Sequence, residues 1–204
     1  MTRPITRPFV LGLTGSIGMG KSAVAAMLHG LDVPVFDADA AVHELQGPGG
    51  ALLEAIEAEF PGTTGPAGVD RQKLGAAVFG NPKALKRLEG IVHPAVGAMR
   101  QQFLKDNARA ALIVFDIPLL FEKGGGAQAG VDAVLVVSAP ADMQRERVLA
   151  RPGMTPEKFE QILGLQVPDS EKRARADYVI DTGTSLAETR HAVQALVHRL
   201  KGQE

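Results

Sequence analysis

Five short stretches of this chain are apolar at almost every position: Phe9–Leu13, Val33–Phe36, Ala111–Phe115, Val131–Ser138 and Tyr178–Ile180. A strand with one wet face alternates apolar and polar residues. A strand apolar throughout is covered on both faces, as in a parallel sheet. Between these runs apolar residues recur at helical spacing. Val24, Met27, Leu28 and Leu31 share one face of a helix expected from Lys21 to Leu31. Further helices are expected over about 40–46, 51–60, 142–151, 156–165 and 185–200, stopped by Gly47-Pro48, Pro61, Pro152-Gly153 and Pro168.

Strands therefore alternate with helices, which predicts an α/β fold of about five parallel strands with helices on both faces. The exception lies between the second and third strands, where residues 47–109 read as almost entirely helical. Asp70 caps a helix to Phe79, and Asn81-Pro82 starts another that should break at His93-Pro94 before a last one reaches about Ala108. Residues 61–68 read as a loop. The expectation is one domain over 1–204, with a core of 9–46 and 110–204 and a helical insertion of about 47–109.

At 204 residues the chain buries one substantial core. A net charge of −1 gives no reason to expect a nucleic-acid or membrane surface. The absence of cysteine excludes disulfides, thiolate metal sites and a cysteine nucleophile, and suits a reducing cytoplasm. The first residues, with Thr-Arg-Pro twice, lack the apolar core of a signal peptide and read as a tail before the first strand.

The chemistry begins where the first apolar run breaks. Gly15-x4-Gly20-Lys21-Ser22, between a strand and a helix, is the phosphate-binding loop pattern. Glycines let backbone N–H groups curl around phosphate oxygens, and the helix N-terminus adds partial positive charge. Gly15, Gly18, Met19, Gly20, Lys21, Ser22 and Ala23 are thus the expected ATP-binding residues, with Lys21 on the β- and γ-phosphates. The Ser22 hydroxyl would be a ligand of Mg²⁺. Asp116, after four apolar residues, has the Walker-B position, where a strand-end carboxylate supports Mg²⁺ through water; a turn residue is the other reading.

Asp37 and Asp39 follow the second strand and could serve a metal, an attacking hydroxyl or simply a turn. A carboxylate can orient an alcohol and take its proton late in phosphoryl transfer. Arg147 and Arg151, four apart before Pro152-Gly153, fit either a solvated helix face or a lid of about 147–168 that closes over the transferring group. Neither an Asp-x-x-Gly after the third strand nor an Asn-Lys-x-Asp appears, so GTPase signatures are missing. Another small-molecule P-loop kinase, acting on a nucleoside monophosphate or a sugar, is the alternative on these residues alone.

Several further segments resemble the dephospho-CoA kinases, which are P-loop proteins similar in fold to nucleoside monophosphate kinases. They are Asp37-Ala38-Asp39-Ala40-Ala41-Val42-His43, Leu88 to Val96 with His93-Pro94, and Asp116-Ile117-Pro118-Leu119-Leu120-Phe121-Glu122. Gln144-x-x-Arg147-x-x-x-Arg151, Gln166 and Lys172 to Asp181 continue the match. The resemblance implies a cytoplasmic kinase, monomeric or weakly oligomeric, using ATP with Mg²⁺ to phosphorylate the ribose 3′-hydroxyl of dephospho-CoA, the last step of coenzyme A synthesis. It implies Asp39 as the acid near the acceptor hydroxyl, with Lys21, Arg147 and Arg151 as the other catalytic groups. Asp37, His43, His93, Pro118 and Leu119 would meet the acceptor, and the helical insertion would hold it. Thr182 stands where an asparagine often follows Asp181 in the family.

Overall fold

The computed structural model of the protein describes residues 7–122 and 124–202; residues 1–6 of the expected tail lie outside the described residues. In chain order the elements are β1 (Phe9–Thr14), α1 (Lys21–His29), β2 (Val35–Asp37), α2 (Ala38–Gln46), α3 (Leu53–Glu59), β3 (Thr64–Gly65), β4 (Gly68–Val69), α4 (Arg71–Val78) and α5 (Pro82–Asp106). There follow β5 (Leu112–Asp116), α6 (Gly126–Ala129), β6 (Ala133–Ser138), α7 (Ala141–Leu149), α8 (Pro156–Gly164), α9 (Asp169–Ala174), β7 (Tyr178–Asp181) and α10 (Leu186–Leu200).

The expected parallel sheet is present, with five strands in the order β2-β5-β1-β6-β7. Its centre, β1, runs parallel to β5 from Phe9↔Leu112 to Leu13↔Asp116, and to β6 from Leu11↔Ala133 to Thr14↔Val136. The unbroken apolar run of β6 is explained by its two faces. Leu135 and Val137 join the cluster of Val24, Leu28, Val193 and Val197 from α1 and α10. Val134 and Val136 instead pack with Leu120 and Phe121, flanked by Val131, Val167 and Ala176.

The chain divides into two compact bodies, one of residues 7–36 and 107–202, the other of 37–106. The second body has its own core, in which Leu45, Leu52, Ile56, Phe60, Leu74 and Ala84 are packed by Leu88, Ile91, Val92, Ala95, Val96 and Met99 of α5. Two expectations fail here. Residues 61–68 are not a plain loop, because β3 and β4 pair antiparallel. The Glu57 carboxylate accepts hydrogen bonds from the Gly62 and Thr64 N–H groups and the Thr64 hydroxyl, which fixes the turn that the short pairing needs.

Nor does the chain break at His93-Pro94: α5 is a single 25-residue helix with Pro94 inside it. An interior proline removes one helical hydrogen bond and crowds the carbonyl four residues back. That carbonyl belongs to Gly90, which has no side chain of its own to add to the crowding. Packing by Ile91, Val92, Ala95 and Val96 on either side of the proline outweighs the lost bond. In the first body, α9 forms where only the end of a helix at Pro168 is expected.

Candidate functional site

The phosphate loop leaves β1 at Thr14, whose hydroxyl donates to the Pro118 carbonyl at 3.1 Å. The loop then lies against the ends of β6 and β7 so closely that side chains are excluded. A Cβ on Gly15 would sit 2.9 Å from the Val137 carbonyl oxygen, and one on Gly20 would sit 2.9 Å from the Thr182 hydroxyl. Gly18 and Gly20 both hold positive φ, +79° and +85°, and Gly20 is the residue from which α1 starts. The Ala23 N–H already donates to the Gly20 carbonyl at 3.0 Å, whereas the Lys21 and Ser22 N–H groups at the start of α1 have no acceptor four residues back in the helix, which makes this terminus an anion site. Met19 belongs to the expected ATP-binding set through its main chain alone. Its side chain is buried in the sheet core and its sulfur accepts from the Ala139 N–H, so only its backbone lines the loop.

Lys21 and Asp116 are brought together. The Lys21 ammonium lies 2.5 Å from the Asp116 carboxylate, which is buried at the end of β5. Ser22 and Ala23 are exposed in the first turn of α1. Pro118 is half-buried and Leu119 exposed just beyond β5. Among the described residues no three His, Cys, Asp or Glu side chains converge on a point as a metal cage.

The two arginines expected in a lid do not share a helix face. Arg147 is on α7, but the helix ends at Leu149, so Arg151 stands beyond it, exposed, in the turn that contains Pro152-Gly153. Arg147 donates to the Thr182 carbonyl at 2.7 Å and to its hydroxyl at 3.2 Å. The Thr182 hydroxyl in turn donates to the Met19 carbonyl at 2.8 Å. Threonine at this place therefore links α7 to the phosphate loop.

Asp37, Asp39, His43 and His93 lie in the second body. Asp37 caps α2, its carboxylate accepting from the Ala40 N–H at 2.9 Å. Asp39 is exposed in the first turn of the same helix. His43 is exposed, with its ring 2.7 Å from the Arg71 guanidinium through Nδ1. His93 is exposed in the middle of α5.

Sequence reasoning gives no role to the side chains that fasten α7, α8 and α9 to the rest of the first body. Gln144 on α7 and Gln166 after α8 both hydrogen-bond to the backbone of Ile17 in the loop, at 2.7 and 3.1 Å. Lys172 on α9 is fully buried and lies 2.8 Å from Glu122, which also accepts from the Val167 N–H at 2.9 Å. Burial pushes the Glu122 carboxyl up, but the hydrogen bonds from Lys172 and the backbone outweigh it and hold the group below the usual glutamate range. Nothing in the local pattern of Asp169–Ala174, four charged residues in six, marks Lys172 as buried.

Comparison with known proteins adds the following. A family model described as dephospho-CoA kinase matches residues 9–188. The chain is 70% identical over 197 residues to a protein of Novosphingobium aromaticivorans named dephospho-CoA kinase, covering 97% of each chain. A crystal structure of a Thermus thermophilus protein superposes with a TM-score of 0.83 at 36% identity, covering 95% of this chain and 98% of that one. A dephospho-CoA kinase from Campylobacter jejuni superposes with a TM-score of 0.61 at 26% identity, covering 94% and 96%.

Proposed function

The chain belongs to the dephospho-CoA kinase family, and from that premise we propose how its own residues divide the work of moving the γ-phosphate of ATP to the ribose 3′-hydroxyl of dephospho-CoA. The activity itself, an ATP-dependent kinase reaction of coenzyme A synthesis, follows from family membership, and the monophosphate- or sugar-kinase alternative falls away.

The observation that carries the division of labour is the Lys21–Asp116 pair at the mouth of the phosphate loop. Each charge is held ready for a partner of opposite sign: the lysine for the phosphates, the carboxylate for a cation. Ser22 and Asp116 fit Mg²⁺, a hard ion that takes few protein oxygens and completes its shell with water and phosphate. When bound it would neutralise charge on the β- and γ-phosphates.

Gly15, Gly18, Met19, Gly20, Lys21, Ser22 and Ala23 cradle the triphosphate through backbone N–H groups, with the Lys21 ammonium on the transferred group. Asp39 orients the acceptor hydroxyl and takes its proton as the O3′–phosphorus bond forms and the bond to ADP breaks. Arg147 and Arg151, in a lid of about 147–168, stabilise the developing charge and keep water out. Asp37, His43, His93, Pro118 and Leu119 serve the acceptor, which the helical residues 47–109 hold. We further propose a cytoplasmic protein, monomeric or weakly associating; among the described residues no helix is long and apolar enough to cross a membrane.

The test is release of ADP with Mg²⁺-ATP and dephospho-CoA, against AMP, CMP, adenosine and buffer. Stimulation by dephospho-CoA alone supports the acceptor. Asp39→Asn should abolish transfer while ATP binding persists; near-normal turnover of that variant would remove Asp39 from its role.

A further inference from the structure

Both main-chain groups of Ile17, at the crown of the phosphate loop, are held by side chains from the two sides of the lid. The Ile17 N–H donates to Gln166 Oε1 at 3.1 Å, and the Ile17 carbonyl accepts from Gln144 Nε2 at 2.7 Å. The roles are fixed chemically, since an N–H only donates and a carbonyl only accepts. Gln144 is 95% buried, on α7; Gln166 follows the last turn of α8. The next loop residue packs on the same helix, because a Cβ on Gly18 would lie 3.0 Å from the Gln144 carbonyl oxygen. Val167 and Lys172, both bound to Glu122, fasten the far side of the lid to the segment after β5.

We propose that Gln144 and Gln166 are positioning residues that set the shape of the phosphate loop for ATP and couple it to the lid. In a planar trans peptide the carbonyl and the following N–H point in opposite directions. Holding the Ile17 carbonyl toward α7 therefore turns the Gly18 N–H away from it, toward the side of the loop that a phosphate occupies. Gly18, at φ +79°, sits where a peptide flip meets little steric resistance, so the orientation needs an external hold. Gln166 fixes the preceding peptide, whose Ser16 carbonyl accepts from the Met19 N–H at 3.1 Å and closes the turn. Any rotation of α7 or α8 pulls on this one residue. The inference rests on residues 15–22 holding ATP, which Lys21→Ala tests separately through loss of binding of a fluorescent ATP analogue.

Two substitutions at each position isolate the hydrogen bonds. Methionine keeps the length and removes the bond at both places. Glutamate adds the same charge at both, but it can accept from the Ile17 N–H and cannot donate, when ionised, to the Ile17 carbonyl. KM for ATP, KM for dephospho-CoA and kcat are measured for wild type, Gln144→Met, Gln144→Glu, Gln166→Met and Gln166→Glu. Each methionine variant should raise KM for ATP about tenfold, the worth of one buried hydrogen bond, with KM for dephospho-CoA near wild type. Glutamate should be better than methionine at 166 and worse than methionine at 144. The same order at both positions overturns the proposal, as does an unchanged KM for ATP with kcat lowered. Should Gln144→Glu not fold, the methionine variants decide: KM for ATP raised at both supports the clamp, and unchanged at either refutes it.

Discussion

Changing Glu122 to glutamine keeps the shape of the side chain and removes its charge, leaving the Lys172 ammonium unpaired. The lysine side chain is 0% exposed and the glutamate 13%, so bulk water cannot take over from the carboxylate without loosening α9 from the segment after β5. Removing one partner of a buried ion pair costs about 3–5 kcal/mol. The partial exposure of Glu122, and the amide oxygen that can still accept from Val167, place this case near the lower end. A chain of this size should show a steep urea dependence, near the upper part of the usual 1–3 kcal/mol/M range, so the midpoint should fall by about 1 M. The chain has no tryptophan and one tyrosine, so far-ultraviolet circular dichroism is the suitable probe. Adding Lys172→Met to Glu122→Gln removes the stranded charge and should restore stability to within about 1 kcal/mol of wild type. The same pair gives a pH signature. Because the folded Glu122 carboxyl is held below its ordinary value, its contribution is complete above about pH 4.3 and is lost as the pH falls through the lower folded value. The double variant should therefore lose less stability than wild type across that acid range. A cost below about 1 kcal/mol for Glu122→Gln, or a double variant weaker than the single one, would refute the reasoning that the pair is desolvated.

Gly18→Ala should damage ATP binding more than acceptor binding, because the added methyl meets the Gln144 carbonyl oxygen at a positive φ; an unaltered KM for ATP would count against the tight loop–helix contact. Pro94→Ala should raise the stability of α5 by about 1–2 kcal/mol, the regained helical hydrogen bond less the entropy that proline removes from the unfolded chain; a lowered melting temperature would show the ring itself to be required. Asp132 accepts two hydrogen bonds from Arg7 and one from the Val10 N–H, which hold its carboxyl low against the opposing effect of burial. Asp132→Asn should lower the melting temperature by about 2–4 °C at neutral pH and by less under acid, where the wild-type carboxylate is itself protonated.

The sheet and the phosphate loop were legible because the residues there answer to purely local demands. A strand covered on both faces must be apolar throughout, and a loop lying against β6, α7 and the end of β7 must be glycine at 15, 18 and 20. Asp116 at a strand end was readable for the same reason. What escaped depends on partners distant in sequence. The β3–β4 pairing hangs on Glu57, and the passage of α5 through Pro94 depends on packing that no cap or breaker rule records. Lys172 has the charged neighbours of a solvated helix, and only Glu122, 50 residues earlier by subtraction of their numbers, explains its burial. Gln144 and Gln166 could be noticed as part of a resemblance, but an uncharged amide gives no hint that its target is a backbone group near residue 17. The threonine at 182 answers to a loop carbonyl more than 160 residues earlier, that of Met19.

The placement of β1 also governs the order in which the protein can form as it is synthesised. Its neighbours in the sheet are residues 112–116 and 133–136, so β1 has neither partner until about a hundred further residues have been made. Residues 37–106, by contrast, are contiguous and contain their own hydrophobic cluster, so their contacts are available much earlier. Long-range parallel pairing forms slowly, and a waiting apolar strand is prone to bind the wrong surface. During translation the phosphate loop thus emerges well before the strands that give it shape, with Phe9–Thr14 the stretch most in need of a chaperone.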